Sequence, residues 1–377
     1  MLEQELQLMV SEVRRFVRNE VIPAEMQIEE ADEVPERLRD QAKEMGLYGM
    51  SLPAEYGGLG MSMEEEAQLV FELGYCSPAF RSMFGTNNGI AGHVVSEGGT
   101  ESQREDYLPR IASGEATACF CLTEAEAGSD PAGLTTSAKR TDDGWLINGN
   151  KRYITNAPIA DLFMVFARTS KGPKPADGIS VFLVDRDTKG LTIGPRDKKM
   201  GQKGAWTSDV YFDDALVPES ALIGGESTGY GVAMRSLAHG RLHIAAVCVG
   251  LAQRLVDESV AFAKDRRQGG KPIGQHQLIA GMLADMQTEL MAARALVMDA
   301  ARNYDAGKDK RMGPAAAKYF ASEMVGRVAD KAVQIHGGSG YMAEVPVERF
   351  YRDARLFRIY EGTSQIQQLI IAGQLLR

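Results

Sequence analysis

The chain is poor in the residues that staple, ligate or span. Its 377 residues hold four cysteines, five histidines and two tryptophans. Only Cys119 and Cys121 stand close together, and a C-x-C pair lacks zinc-finger spacing and a second pair to complete four ligands. Reduced, packed thiols are the expectation, as in a cytoplasmic protein. The longest apolar runs, such as 244–249 and 369–372, fall far short of the roughly 20 residues that cross a bilayer. No N-terminal segment joins a basic start to an apolar core and a small-residue cleavage site. The expectation is a soluble, cytoplasmic protein with no membrane span. Basic surplus is also missing: 42 Lys and Arg face 51 Asp and Glu, for a net charge of -9. That argues against nucleic acid as a partner. It leaves room for an anionic substrate in a local basic pocket.

Two common signatures are absent as well, the phosphate loop G-x-x-x-x-G-K-[ST] and the zinc motif H-E-x-x-H. One formal G-x-S-x-G occurs, centred on Ser227, which opens a serine-hydrolase alternative. No buried strand run leads into it, and the histidines that follow sit on the next helical stretch. A Gly-rich domain junction is the plainer reading. His239 and His243, four apart, share a helix face, but no third metal ligand accompanies them. No metal is expected.

What is present divides the chain in three. Leu2, Leu6, Met9, Val10, Val13, Phe16, Val17 and Val21 follow helical spacing. Pro35 suits the start of a second helix and Gly46 its end. Ser62 with Glu65 reads as a capping box, and Thr100 as the cap of a helix running to Ile111. From Ala118 the pattern changes to short β-type runs at 118–122, 145–147, 162–167, 179–184 and 210–212. Asp142-Asp143-Gly144 reads as a hairpin turn, and 170–177 as a loop. Past Gly231 the helical stripes return and suggest a bundle. The expected domains are 1–117 helical, 118–226 an antiparallel sheet, and 227–377 a helical bundle. This α, β, α order differs from the alternation of a nucleotide-binding doubly wound fold.

Four segments carry candidate chemistry. Leu122-Thr123-Glu124 through Gly128-Ser129-Asp130 follows a strand and offers N–H and O–H groups to an anion or a planar heterocycle. Tyr153 and Thr155 put a ring and a hydroxyl on one side of an extended segment. Gln334 through Gly340 ends a helical run in glycines, either a C-cap or a backbone that lies close to a ligand. Glu361 sits between apolar residues and Gly362, just before a helix; burial there would raise its pKa and make it a base. An exposed Glu near a helix start is the plainer alternative.

Taken together and in this order, the segments resemble the acyl-CoA dehydrogenase family of flavoproteins. The resemblance covers essentially the whole chain. It rests on 122–130, Tyr-Ile-Thr-Asn at 153–156, Gln-Ile-His-Gly-Gly-Ser-Gly at 334–340, and Tyr-Arg-Asp-Ala with Tyr-Glu-Gly-Thr-Ser-Gln-Ile-Gln across 351–367. The fold it implies is α+β: an N-terminal helical domain, a middle antiparallel β domain and a C-terminal four-helix bundle. It further implies a homotetramer built as two dimers, FAD as cofactor, an acyl-CoA substrate and electron-transfer flavoprotein as electron acceptor.

The resemblance also assigns roles. Phe120, Leu122 and Thr123 would line the flavin ring, Tyr153 would stack beside it, and Thr155 would bond its N5. Ser129 would hold the pyrophosphate. Arg266, Gln334 and Gly338 would reach the FAD of a neighbouring subunit, with Thr363 and Gln365 near the adenine. Glu361 would take the α-proton while hydride leaves the β-carbon, giving a trans-2-enoyl-CoA. Tyr360, Gly362, Gly240 and Arg241 would flank the substrate, and 83–90 would shape the pocket floor. Gly240 stands where some relatives keep their base, which leaves Glu361 as the only one and resembles the short-chain branch. An oxidase of the same fold is the near alternative. Four positions depart from the family: Ala125 where Pro is common, Ala238 where Asp is common, Gly269 where Phe is common, and Trp206 among usually small polar residues.

Overall fold

The computed structural model describes residues 2–377. The N-terminal third is helical: α1 (Glu3–Phe16), α2 (Ile22–Ala31), α3 (Glu36–Glu44), α4 (Met63–Leu73), α5 (Pro78–Thr86), α6 (Gly92–Gly98) and α7 (Glu101–Ser113). Leu6, Val10, Val13 and Phe16 bury one face of α1, as their spacing requires. The stripe runs on because a wider turn at Val17–Val21 joins α1 to α2 without a break. Ser62 and Thr100 cap α4 and α7 with reciprocal capping boxes. Helix α7 continues past Ile111, through Pro109 near its end, to Ser113.

The middle domain contains β1 (Ala118–Cys121), β2 (Ser137–Thr141), β3 (Gly144–Thr155), β4 (Leu162–Arg168), β5 (Ile179–Asp185), β6 (Leu191–Ile193) and β7 (Thr207–Val217). They form one seven-stranded sheet of order β1-β4-β2-β3-β7-β6, with β5 also paired to β4. Asp142 and Asp143 turn β2 into β3, and 170–177 is the β4–β5 loop. Most pairings are antiparallel, as expected, but β1 runs parallel to β4, and β2 meets β4 in parallel at Ser137–Arg168. The parallel pairs arise because the chain crosses over between them rather than turning back in a hairpin. Strands β3 and β7 are longer than the apolar runs suggest. They carry exposed polar residues that pattern reading skips.

Helix α8 (Gly229–Asp265) runs through the centre of the molecule and is buried for most of its length. A small hairpin, β8 (Arg267–Gln268) and β9 (Lys271–Pro272), precedes α9 (Gln277–Asp305), α10 (Met312–His336), α11 (Pro346–Ala354) and α12 (Ser364–Leu375). Helices α4, α9, α10 and α11 pack on α8, and α12 packs on α10. One apolar core joins the N-terminal helices to this bundle, a second lies where α6 and α7 meet the sheet and the start of α8, and a third lies under the sheet. All four cysteines are free and buried. Among the described residues no helix is long and apolar enough to cross a membrane.

Candidate active site

A cleft of about 970 Å³ opens where the sheet, α5, α8 and the segment before α12 converge. Of the residues singled out above, Phe120, Leu122, Thr123, Ser129, Tyr153, Thr155, Arg241, Tyr360, Glu361 and Gly362 line it. Gly85, Thr86 and Ile90, from the expected pocket floor, line it too.

The sheet side is held by buried polar anchors. The Glu124 carboxylate accepts from the Thr135 N–H at 2.7 Å, the Thr136 N–H at 2.9 Å and Lys151 Nζ at 2.7 Å. Lys151 is fully buried and also donates to the Leu122 carbonyl. The loop bearing Thr123 and Ser129 is thereby closed across its two ends by Glu124 and tied to β3 through Lys151. Burial alone would push Glu124 up, but Lys151 and the threonine donors carry its pKa down to about 2. Between Lys151 and Ile154 the β3–β7 register slips, and Tyr153 takes a left-handed φ of 58°. This bulge throws its ring into the cleft, 60% exposed. Asn156 then ties the end of β3 to α5, its Nδ2 donating to the Ser82 and Met83 carbonyls and to Thr86 Oγ1.

The bundle side presents Glu361. Both Glu361 and Gly362 have left-handed φ, 53° and 87°. The turn is pinned from α10 and α12: Lys318 Nζ donates to the Gly362 carbonyl at 2.7 Å, and Gln367 Nε2 donates to the carbonyls of Glu361 and Gly362. The Glu361 Oε2 atom is buried and has no hydrogen-bond partner. Burial raises its pKa, opposed by the charges of Arg81, Arg241, Lys318 and His239. Gly240 makes room for it: a Cβ there would stand 2.2 Å from Oε2.

The remaining predicted residues lie outside the cleft lining. Arg266 follows α8 at the surface, and Gln334 and Gly338 are exposed at the end of α10. Thr363 caps α12, its Oγ1 accepting from the Ile366 N–H at 3.3 Å, and Gln365 is exposed beside it. Ser227 has a left-handed φ of 65°, its N–H donates to Ser180 Oγ, and among the described residues no histidine bonds its hydroxyl. His239 and His243 bind Glu66.

Sequence reading missed Arg81, Lys318, Lys199, Gln202 and Tyr304, of which all but Lys318 line the cleft. A charge inside the apolar stretch Phe80-Arg81-Ser82-Met83-Phe84 was the available signal for Arg81. Trp206 is a clamp: its Nε1 donates to the Asp32 carbonyl, and the Arg196 guanidinium lies 3.3 Å from the ring centroid. Gly269 has a φ of 60°, so the β8–β9 turn itself favours glycine there over Phe.

The sequence matches three models in turn: the acyl-CoA dehydrogenase N-terminal domain over residues 3–115, the middle domain over 119–215 and the C-terminal domain over 227–376. The chain belongs to the acyl-CoA dehydrogenase family. It is 41% identical over 353 residues to the caffeyl-CoA reductase-Etf complex subunit CarC of Acetobacterium woodii, covering 93% of this chain and 92% of that one. The butyryl-CoA dehydrogenase structure from Megasphaera elsdenii superposes with a TM-score of 0.96 at 34% identity, over 100% of this chain and 99% of that one. A glutaryl-CoA dehydrogenase in complex with glutaryl-CoA superposes with a TM-score of 0.95 at 34% identity, over 100% and 96%. The protein is thus a flavin-dependent oxidoreductase, and FAD is its cofactor. The cleft suits that group. Phe120 and Leu122 bring apolar side chains to its lining, against which a flat ring would pack, and Thr123, Ser129 and Thr155 bring hydroxyl-bearing residues to the same lining.

Proposed function

We propose that this acyl-CoA dehydrogenase removes the α-proton of an acyl-CoA thioester with Glu361, giving the trans-2-enoyl-CoA. The observation that carries the reading is the unpartnered, buried Oε2 of Glu361 at the cleft. A carboxylate so placed has a raised proton affinity and nothing but a ligand to receive a proton from. Bound FAD supplies the hydride acceptor for the β-carbon. Phe120, Leu122, Thr123, Ser129, Tyr153 and Thr155 would hold it within the chain. Arg266, Gln334, Gly338, Thr363 and Gln365 are left for the neighbouring subunit of a homotetramer; their position away from the cleft lining supports that division. Gly240, Arg241, Tyr360 and Gly362 flank the acyl group. The name of the CarC relative, a subunit of a reductase–Etf complex, supports an electron-transfer flavoprotein as partner; its role here as electron acceptor is part of the proposal.

Arg81 favours a second, narrower reading of the acyl group. Its side chain lines the cleft while only 7% exposed, and among the described residues no carboxylate lies within ion-pair distance of it. An acyl chain ending in a carboxylate would supply the missing charge. The glutaryl-CoA relative is consistent with such a substrate.

One anaerobic titration tests both readings. Saturated acyl-CoA esters of increasing length, and their counterparts ending in a carboxylate, are added to the FAD-bound protein. Bleaching of the flavin by one class of ester establishes reaction and substrate together; absence of bleaching by any of them overturns the reading. Peroxide formed in air without an added acceptor would assign the oxidase alternative.

A further inference from the structure

Beneath the cleft lies a buried chain of ring and carboxylate contacts that the reaction does not directly use. Glu66 on α4 is fully buried. Its Oε2 lies 2.7 Å from His239 Nε2, and its Oε1 lies 2.5 Å from His243 Nδ1 and 2.7 Å from Asn88 Nδ2. On the far side of the His243 ring, Nε2 lies 2.6 Å from Arg81 Nε. A guanidinium nitrogen only donates, so His243 Nε2 must accept. The ring proton therefore sits on Nδ1, where Glu66 receives it. The geometry fixes one neutral tautomer.

We propose that His243 is a positioning residue for the reaction, locked by Glu66 as the Nδ1–H tautomer so that it holds Arg81 by Nε alone and keeps the guanidinium charge in the cleft that Glu361 also lines. A carboxylate in place of His243 would have cancelled that charge; a neutral imidazole does not. Gly85 gives the guanidinium its space, since a Cβ there would stand 2.6 Å from Arg81 Cζ. Burial, with the Arg81 charge, pushes the His243 pKa down to about 4, so the ring stays neutral near pH 7 as the hydrogen bond requires. His239 takes the other role: it is raised by Glu66 against burial and stacks on His93 at 4.1 Å.

The charges that reach Glu361 come from each helix around it: Arg81 on α5, His239 and Arg241 on α8, and Lys318 on α10. Around Glu66 the titratable neighbours are His239 and His243 on α8, His93 on α6 and Tyr304 on α9. Arg81 comes first among the charges that lower Glu361, so unseating it moves the base toward its protonated form.

The inference rests on Glu361 as base, and two measurements separate the two. In the FAD-bound protein, ring nitrogen-15 resonance of its five histidines, assigned with His243→Gln, reports the His243 tautomer without turnover. Nδ1–H is expected; Nε2–H overturns the proposal. Second, the acid limb of kcat/KM, read with an acyl-CoA that carries no terminal carboxylate so that Arg81 has no part in binding it, is compared in wild type, His243→Leu, His243→Gln, Arg81→Gln and the Leu/Gln double variant. The wild type must turn over for this comparison, and its failure to do so would count against Glu361 alone. His243→Leu and Arg81→Gln are each expected to shift the limb up by about one pH unit, with recovery at high pH. The double variant should shift no further than Arg81→Gln, because His243 acts through Arg81. His243→Gln, whose amide oxygen can accept from Arg81, should restore most of the wild-type profile. A uniform loss at all pH values, or additive shifts, overturns the proposal. Should His243→Leu fail to bind FAD, His243→Gln against Arg81→Gln decides by the same profile.

Discussion

Gly240 and Glu361 occupy one space from two elements: the carboxylate oxygen lies 2.2 Å from where a Cβ on residue 240 would stand. The neighbour in conflict is the tip of a side chain, not backbone. Gly240→Ala should therefore leave the fold intact and push the proposed base aside. A displacement of about 1 Å at a reacting group costs on the order of 100-fold in rate. The expected result is a melting temperature near wild type, full FAD content and kcat reduced about 100-fold. Wild-type turnover in the alanine variant would mean that Glu361 swings clear without cost.

Glu361→Gln keeps the shape of the turn and removes the proposed base. FAD content should be unchanged, and exchange of the substrate α-proton with solvent deuterium should fall by at least about 1,000-fold, near the loss that removing an essential base brings. Stability supplies a second readout. The folded-state pKa of Glu361 is raised, so its contribution is fullest below the unfolded value near 4.5 and is lost as pH rises through the folded pKa. The glutamine variant should be more stable than wild type at pH 7, with the advantage shrinking toward pH 4.5. A constant difference in melting temperature across that range would contradict the burial of this carboxyl.

Lys318 reaches the same turn from α10. Its Nζ donates to the Gly362 carbonyl at 2.7 Å, and burial pulls its pKa down to about 8. Lys318→Met removes both the anchor of a turn made of two left-handed residues and one of the four cations around Glu361. The variant should keep FAD, lose about 10-fold or more in kcat, and shift the acid limb of its rate profile upward. An unchanged limb with reduced kcat would limit Lys318 to holding the backbone.

Much of this was legible in the sequence, for reasons that differ by element. The capping box at Ser62 and the helix cap at Thr100 are local chemistry, and they appear where they were read; the structure adds Gln103 to make Thr100 a box as well. The α1 stripe is local periodicity, and its buried face matches. Cleft residues such as Thr123, Ser129, Thr155 and Glu361 were legible only as a set, through family likeness. No spacing rule brings β1, β3 and the turn before α12 together. The parallel pairing of β1 with β4 was hidden because apolar runs carry no strand direction. Arg81, Lys318 and Glu66 were hidden for a related reason. A charge in an apolar helix reads as an exception until its partner, 162 residues away for the Arg81–His243 bond, is in place. Trp206 and Gly269 looked like departures, and each answers to local geometry: a carbonyl and a guanidinium for the ring, a left-handed φ for the glycine.

The Glu124–Lys151 pair should set the acid stability of the sheet side of the cleft, where the proposal seats FAD. Glu124 carries a folded pKa of about 2 against an ordinary value of 4.5. A depressed carboxylate contributes stability that is present above its unfolded pKa and is lost as pH falls through its folded one. That window runs from about 4.5 down to about 2. Lys151→Met removes the cation and leaves the carboxylate buried against two threonine N–H groups. Breaking a buried pair from one side costs about 3–5 kcal/mol. The variant should therefore melt well below wild type at pH 7. The gap should narrow as pH falls, because protonating Glu124 relieves the variant while it weakens wild type. The loop from Leu122 to Thr136 should loosen with it, so FAD should leave the variant more readily, read as flavin fluorescence released at a lower temperature. A gap that stays constant from pH 7 to pH 3 would show that Lys151 acts by packing its stem and not by its charge.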